Sequence, residues 1–166
     1  MSRTRPGPWT LCATDVLDDS NREAVAQEIS ISMPAERVIS ILEKVIFING
    51  KPECIRTDNG PEFISEKMRI WCEVNGIKHK FIQPLTQNCY VERFNGSYRR
   101  AILDAYIFRN IEDVRELTER WRLDYNAKRP HEALGNMTPL EYKEKLLKGE
   151  IRSSGILSRL RRLTLE

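Results

Sequence analysis

Closely spaced metal ligands are missing from this sequence: its 166 residues contain no C-x-x-C and no H-x-x-H pair. Cys12, Cys54, Cys72 and Cys89 stand far apart, as do the two histidines, His79 and His131. A structural zinc needs ligands in close pairs, so isolated, reduced cysteines in apolar surroundings are expected instead. No apolar run approaches the ~20 residues that cross a bilayer, and no export-type apolar segment follows the basic residues 1–8. A cytoplasmic protein that does not enter membranes is therefore expected.

Charge of one sign is also scarce. The formal net charge is only +3, too small by itself to require a polyanionic partner. Its distribution is uneven. Residues 1–83 carry 11 Lys and Arg against 12 Asp and Glu, whereas residues 84–166 carry 16 against 12. Any polyanion should meet the C-terminal half. With 40% hydrophobic residues the chain has enough apolar material for one globular domain with a core.

The apolar spacing sets out the elements. Trp9 to Leu17 and Glu23 to Ile31 read as strands joined at Asp18-Asp19. Pro34 opens a helix with Val38, Ile39, Leu42, Val45 and Ile46 at helical spacing, closed by Asn49-Gly50. Pro52 to Asp58 reads as a strand. A second helix, burying Phe63, Met68, Ile70, Trp71 and Val74, stops at Gly76. Ile77 to Gln83 is a further strand. Helices are expected from Asn88 to about Arg109, from Ile111 to about Tyr125, and from a capping box at Thr138-Pro-Leu-Glu141. This order gives an α/β fold with a short mixed sheet flanked by helices. Residues 1–148 are assigned to the core domain and 149–166 to a basic, loosely attached C-terminal tail.

Two acids stand where chemistry is plausible. Asp58 ends a strand, the place where α/β sheets present functional groups to a crevice. Its Asp-Asn-Gly-Pro context is equally an ordinary turn and helix entry. Glu92 lies on the first turn of a helix whose Val91, Phe94, Tyr98, Ala101 and Ala105 form an apolar stripe. Asn88, Glu92, Asn95 and Arg99 form a separate polar one. A solvated face explains that stripe as simply as a site does. Together, a strand-end aspartate and a helix glutamate can converge on a hard divalent cation such as Mg²⁺, which needs few protein carboxylates. The matching chemistry is in-line attack on a phosphodiester.

Four segments resemble, in order, the motifs of insertion-sequence transposases of the DDE, retroviral-integrase-like superfamily. They are Val16–Ala24, Ile55–Ile64 (Ile-Arg-Thr-Asp-Asn-Gly-Pro-Glu-Phe-Ile), Asn88–Asn95 (Asn-Cys-Tyr-Val-Glu-Arg-Phe-Asn) and Tyr125–Pro139. The resemblance implies a ribonuclease-H-like integrase core that holds Mg²⁺ or Mn²⁺ on two aspartates and a glutamate. It implies hydrolysis at transposon ends followed by strand transfer into target DNA. Asp58 then matches the second aspartate and Glu92 the glutamate, both catalytic and metal-binding. Lys80, Arg99, Arg100, Lys128, Arg129 and His131 are the candidate DNA contacts. The partners implied are transposon-end and target DNA, with a second copy or a full-length transposase.

The chain departs from that pattern twice. The family's first strand, which carries its first aspartate, falls before the position matching Asp18 and is missing here. Its neighbour is expected to be an exposed sheet edge, and this chain is expected to be inactive by itself. Asp15 shares a face with Leu11, Ala13 and Leu17, and is an unfavoured substitute for the lost acid. Second, 33 residues separate Asp58 from Glu92, two fewer than is usual in the family, with the shortfall in the 84–88 loop. A non-catalytic DNA-binding or interaction remnant is the alternative reading.

Overall fold

The computed structural model describes residues 3–4, 11–82, 89–151 and 162–165. Strand β2 (Leu11–Asp18) alternates strictly. Cys12 and Val16 face one side of the sheet, and Leu11, Ala13 and Leu17 face the other. It pairs antiparallel with β3 (Ala24–Ser30) along one edge. Its other edge is shared by β1 (Arg3–Thr4) and β6 (Arg162–Leu165), both antiparallel to it. Strand β6 in turn runs parallel to β4 (Cys54–Thr57), and β4 parallel to β5 (Lys78–Phe81).

The position of β6 corrects an expectation. The edge of β2 expected to be exposed is filled: Val16, Leu17 and Asp18 pair with Leu165, Thr164 and Leu163. The C-terminal segment closes the gap between β2 and β4 because its leucines and the neighbouring strands share one apolar face. Leu163 and Leu165 are wholly buried with Val16 and Ile55. Four residues that read as part of a basic tail are a central strand.

Helix α1 (Ala35–Asn49) covers this face with Val38, Ile41, Leu42 and Val45, and stops at Gly50, whose φ of 84° suits glycine. Pro34 is its N-cap rather than its first helical residue. Helix α2 (Glu66–Val74) is capped by Ser65 Oγ, which accepts the Met68 N–H at 3.2 Å. It buries Met68 and Cys72, four residues apart, so Ile70 and Val74 point outward and are exposed, contrary to the sequence reading. Cys12, Cys54 and Cys72 are buried free thiols, as expected.

The opposite face carries α3 (Cys89–Tyr98) and α4 (Ile111–Lys128). A π-turn over Arg99–Leu103 continues α3 and ends the helix before Arg109. Ile102, four residues after Tyr98, is buried, whereas Ala101 and Ala105 are exposed, contrary to the sequence reading. Helix α4 starts on Asn110, whose side chain accepts the Asp113 N–H at 2.8 Å. The predicted capping box of Thr138 and Glu141 opens α5 (Pro139–Leu147). No helix among the described residues is long and apolar enough to cross a membrane.

Candidate functional site

Asp58 immediately follows β4 and is partly buried. Its Oδ1 accepts the Gly60 N–H at 2.9 Å, which closes the turn. A Cβ placed on Gly60 would lie 2.8 Å from Glu62 Oε1 and 3.1 Å from Asp58 Oδ1. The glycine thus leaves room for two carboxylates to flank it, and Glu62 is itself buried. Sequence reasoning missed Glu62, although it stands inside the Asp58 motif.

Glu92 is exposed on the first turn of α3. Its neighbours Val91 and Phe94 fix that turn by packing on Leu17, Ala24 and Tyr125. Phe94 meets Trp121 and Tyr125 edge-on, with ring centroids 5.0 and 4.9 Å away. Among the described residues, no three His, Cys, Asp or Glu side chains gather closely enough to hold a metal ion. Asp58, Glu62 and Glu92 carry hard oxygen donors of the kind Mg²⁺ takes, but the three do not gather into one group. The 84–88 loop lies outside the described residues. Asp15 is buried on the α3 side of the sheet, close enough to Tyr98 that its charge adds to the upward push of burial on that phenol.

A concavity lies beside the start of α3. A cavity of about 580 Å³ opens between the β2–β3 turn, the start of α3, the end of α4 and the loop after it. Its walls are Leu17, Val91, Phe94 and Tyr125, and its rim carries Arg22, Arg93, Arg129 and His131. Arg22 holds φ at 62°, in the left-handed region that a bulky residue rarely adopts. Its guanidinium lies 3.5 Å from the centre of the Tyr90 ring. The His131 ring stands edge-on to Tyr125, centroids 5.3 Å apart. Its backbone ties the 131–137 loop, donating to Met137 O at 3.0 Å and accepting from Leu134 and Asn136.

The three arginines act on the same two rings. Burial pushes the Tyr125 phenol up to about 12, and the positive field of Arg129, Arg22 and Arg93 offsets part of that rise. Burial also lowers the His131 imidazole, and the same guanidiniums lower it further. Of the sequence candidates for DNA contact, only Arg129 and His131 reach this cavity. Lys80 is exposed on β5, Arg99 and Arg100 sit on the π-turn, and Lys128 pairs with Asp124 at 2.7 Å.

Comparison with known proteins decides the family. The integrase core domain matches residues 4–86 and, as a second description of the same name, residues 75–139. The chain belongs to the integrase core domain family. It is 38% identical over 147 residues to a 31.7 kDa protein of insertion element IS407 from Burkholderia multivorans, covering 87% of this chain and 53% of that protein. It is 36% identical over 133 residues to a 39.2 kDa protein of insertion element IS476 from Xanthomonas euvesicatoria, covering 79% and 38%. The chain therefore spans about half or less of these relatives. The fold is similar to the HTLV-2 integrase catalytic core domain, solved in complex with magnesium (TM-score 0.65, 20% identity, 85% of this chain and 90% of that one). It is also similar to a chain of a simian T-cell lymphotropic virus intasome (TM-score 0.68, 18% identity, 85% and 51%). The α/β, ribonuclease-H-like integrase-core fold and the transposase resemblance both hold.

Proposed function

We propose that this chain is the catalytic-core portion of a transposase, built for metal-dependent hydrolysis and strand transfer at DNA phosphodiesters. The observation that carries the reading is the placement of Asp58 at the C-terminal end of β4, within an integrase-core match. Glu92 on the first turn of α3 is the second acid of the site. These two carboxylates would hold Mg²⁺ or Mn²⁺; the cation supplies a Lewis acid that activates the attacking oxygen and steadies the leaving one. Asp58, fixed by the Gly60 N–H, positions one ligand at the strand end, and the packed Val91–Phe94 turn positions the other.

These 166 residues by themselves are proposed to be inactive, because among the described residues no third carboxylate joins Asp58 and Glu92. In a strand-transfer assay on a transposon-end oligonucleotide they should give no product with Mg²⁺ or Mn²⁺. Fusing a first strand with its aspartate ahead of residue 9, and ending the chain at residue 161 to vacate the β6 position, should restore activity. Asp58→Asn or Glu92→Gln should abolish it again. Robust cleavage by the unmodified chain would mean that another acid has been recruited, with Asp15 the first to test.

DNA partners and self-association follow from the same reading, as does a cytoplasmic location; the similar HTLV-2 core is described in dimeric and trimeric forms. Lys80, Arg99, Arg100, Lys128, Arg129 and His131 are the proposed DNA contacts. Binding should be sequence-indifferent and fall steeply with salt, and replacing Arg129 should lower the salt slope by about one. A binding curve unchanged between low and high salt would remove this part of the proposal. A DNA-binding or interaction remnant without catalysis is the second reading, favoured by the cavity that Arg22, Arg93 and Arg129 line.

A further inference from the structure

The cavity between the β2–β3 turn and the 129–133 loop has features that core packing does not require. Among the described residues, none of Arg22, Arg93 and Arg129 forms a salt bridge, although three acids share the rim and the charge of Arg22 acts on Asp19. Those acids are committed elsewhere or face water. Asp18 accepts from Ser20 N at 2.9 Å and from Ser20 Oγ. Asp19 accepts from Arg56 at 3.0 Å and Thr164 at 2.7 Å, and Glu132 is exposed. Two buried polar atoms at the cavity, Arg22 Nε and His131 Nε2, have no hydrogen-bond partner. Buried polar atoms are nearly always satisfied, so such a pair at one opening asks for a missing partner, which for Arg22 Nε must be an acceptor. The backbone repeats the point: Arg22 bears a left-handed φ that glycine or asparagine would adopt more cheaply, and strain of this kind persists where a side chain has a task.

The geometry points to a phosphate-binding site, and we propose that it takes a DNA phosphate, either a backbone diester or a 5′-terminal monoester. This deepens the reading of the chain as a DNA-handling core and rests on it. Guanidiniums from three separate elements form a fork-like set of donors suited to the oxygens of phosphate. The volume of about 580 Å³ fits a whole nucleotide rather than a bare ion. The Tyr90 ring, partly exposed beneath Arg22, offers a flat surface to the attached sugar or base.

The experiment uses the full chain and its two histidines. Imidazole NMR signals of His131, distinguished from those of His79 with a His79→Gln variant, are followed during titration with inorganic phosphate. They are followed again with one duplex oligonucleotide carrying, or lacking, a 5′-phosphate. DNA affinity is read in parallel by fluorescence anisotropy. Both oligonucleotides should move the His131 signals and leave His79 unmoved, and tighter binding of the phosphorylated one identifies the terminal monoester as the source. Arg22→Gly should keep the fold, because glycine accepts φ near 62° freely, and should weaken DNA binding about tenfold. His131 signals that no oligonucleotide moves overturn the site, and so does an Arg22→Gly chain that binds as tightly as the parent. If anisotropy still reports salt-sensitive DNA binding in that case, the DNA-handling reading stands without this cavity. A response to inorganic phosphate alone overturns the assignment to DNA.

Discussion

Leu163→Ala should be among the most damaging single substitutions in the chain, although it falls only three residues before the last. Leu163 has no exposed surface and packs between Val16 and Ile55 in the larger core, while its backbone pairs with Asp18 on one side and Ile55 on the other. Truncating a fully buried leucine costs about 2–5 kcal/mol, of which part is the cavity left behind. A site held by strands on both sides has little freedom to collapse, so about 3 kcal/mol or more is expected. With a urea slope of about 1–3 kcal/mol/M, the unfolding midpoint should fall by about 1–3 M. Removing residues 162–166 forfeits Leu165 and the ladder as well. That loss approaches the roughly 5–15 kcal/mol that holds a typical domain together.

The control is Leu147→Ala at the exposed end of α5, where a change within about 0.5 kcal/mol is expected. Urea unfolding followed by tryptophan fluorescence and far-UV circular dichroism reads all three chains. Equal midpoints for Leu163→Ala and Leu147→Ala, or a chain ending at residue 161 that unfolds like the parent, would refute the central position of β6.

Phe94→Ala should cost about 3–5 kcal/mol, since Phe94 is buried and joins Trp121 and Tyr125 in one aromatic cluster; chemical denaturation checks it. Thr164→Val keeps the shape of β6 but removes the donor to Asp19 Oδ1, leaving a partly buried carboxylate oxygen without that partner. About 1–3 kcal/mol should be lost, and Thr164→Ser should recover most of it. Stability should also fall between pH 7.5 and 5.5. Burial lowers the proton affinity of His79 and His131 in the fold, so below about 6.5 the unfolded chain takes up protons first and is favoured. Asp19 works in the opposite sense. Burial raises its carboxyl, so its stabilising contribution returns as pH falls. The His79→Gln, His131→Gln chain should show a smaller drop across that window than the parent, and an equal drop would contradict the histidine assignment.

Local signals explain why most elements were legible. The cap at Thr138–Glu141, the stop at Gly50 and the alternation of β2 are properties of neighbouring residues, and each appears where its pattern stands. What the sequence did not disclose depends on distant partners. Arg-Leu-Thr-Leu is too short to show a period, and its place follows from a gap between β2 and β4, more than a hundred residues away in the chain. Ile102, four residues after Tyr98, is the buried position of the π-turn and stands on the Val91–Tyr98 stripe at ordinary helical spacing; the sequence reading took Ala101 instead. Arg22 and Arg93 escaped notice because single arginines in a turn and on a helix carry no spacing signal. Both nevertheless lie within motif segments, between Val16 and Ala24 and between Asn88 and Asn95, and that was the available clue.

Helix α3 gives those two misses a common meaning. Its first turns are clamped to the sheet by Val91 and Phe94, so the residues between them have little freedom of direction. Glu92 stands exposed there, and the next residue, Arg93, reaches the rim of the basic cavity. Successive helical residues diverge by about 100°, so one rigid turn presents a carboxylate and a guanidinium to different parts of a single ligand. Under the proposed reading, a DNA phosphate seated among Arg22, Arg93 and Arg129 fixes the strand's position relative to the Glu92 carboxylate. Positioning of this kind is what a slip of about 1 Å would spoil. Arg93→Gln in the chain restored with a first strand should therefore lower strand transfer by more than it lowers DNA affinity. Measuring both on one oligonucleotide decides the matter: losses in equal proportion would mean that Arg93 only binds, and no loss in either would separate the cavity from the chemistry altogether.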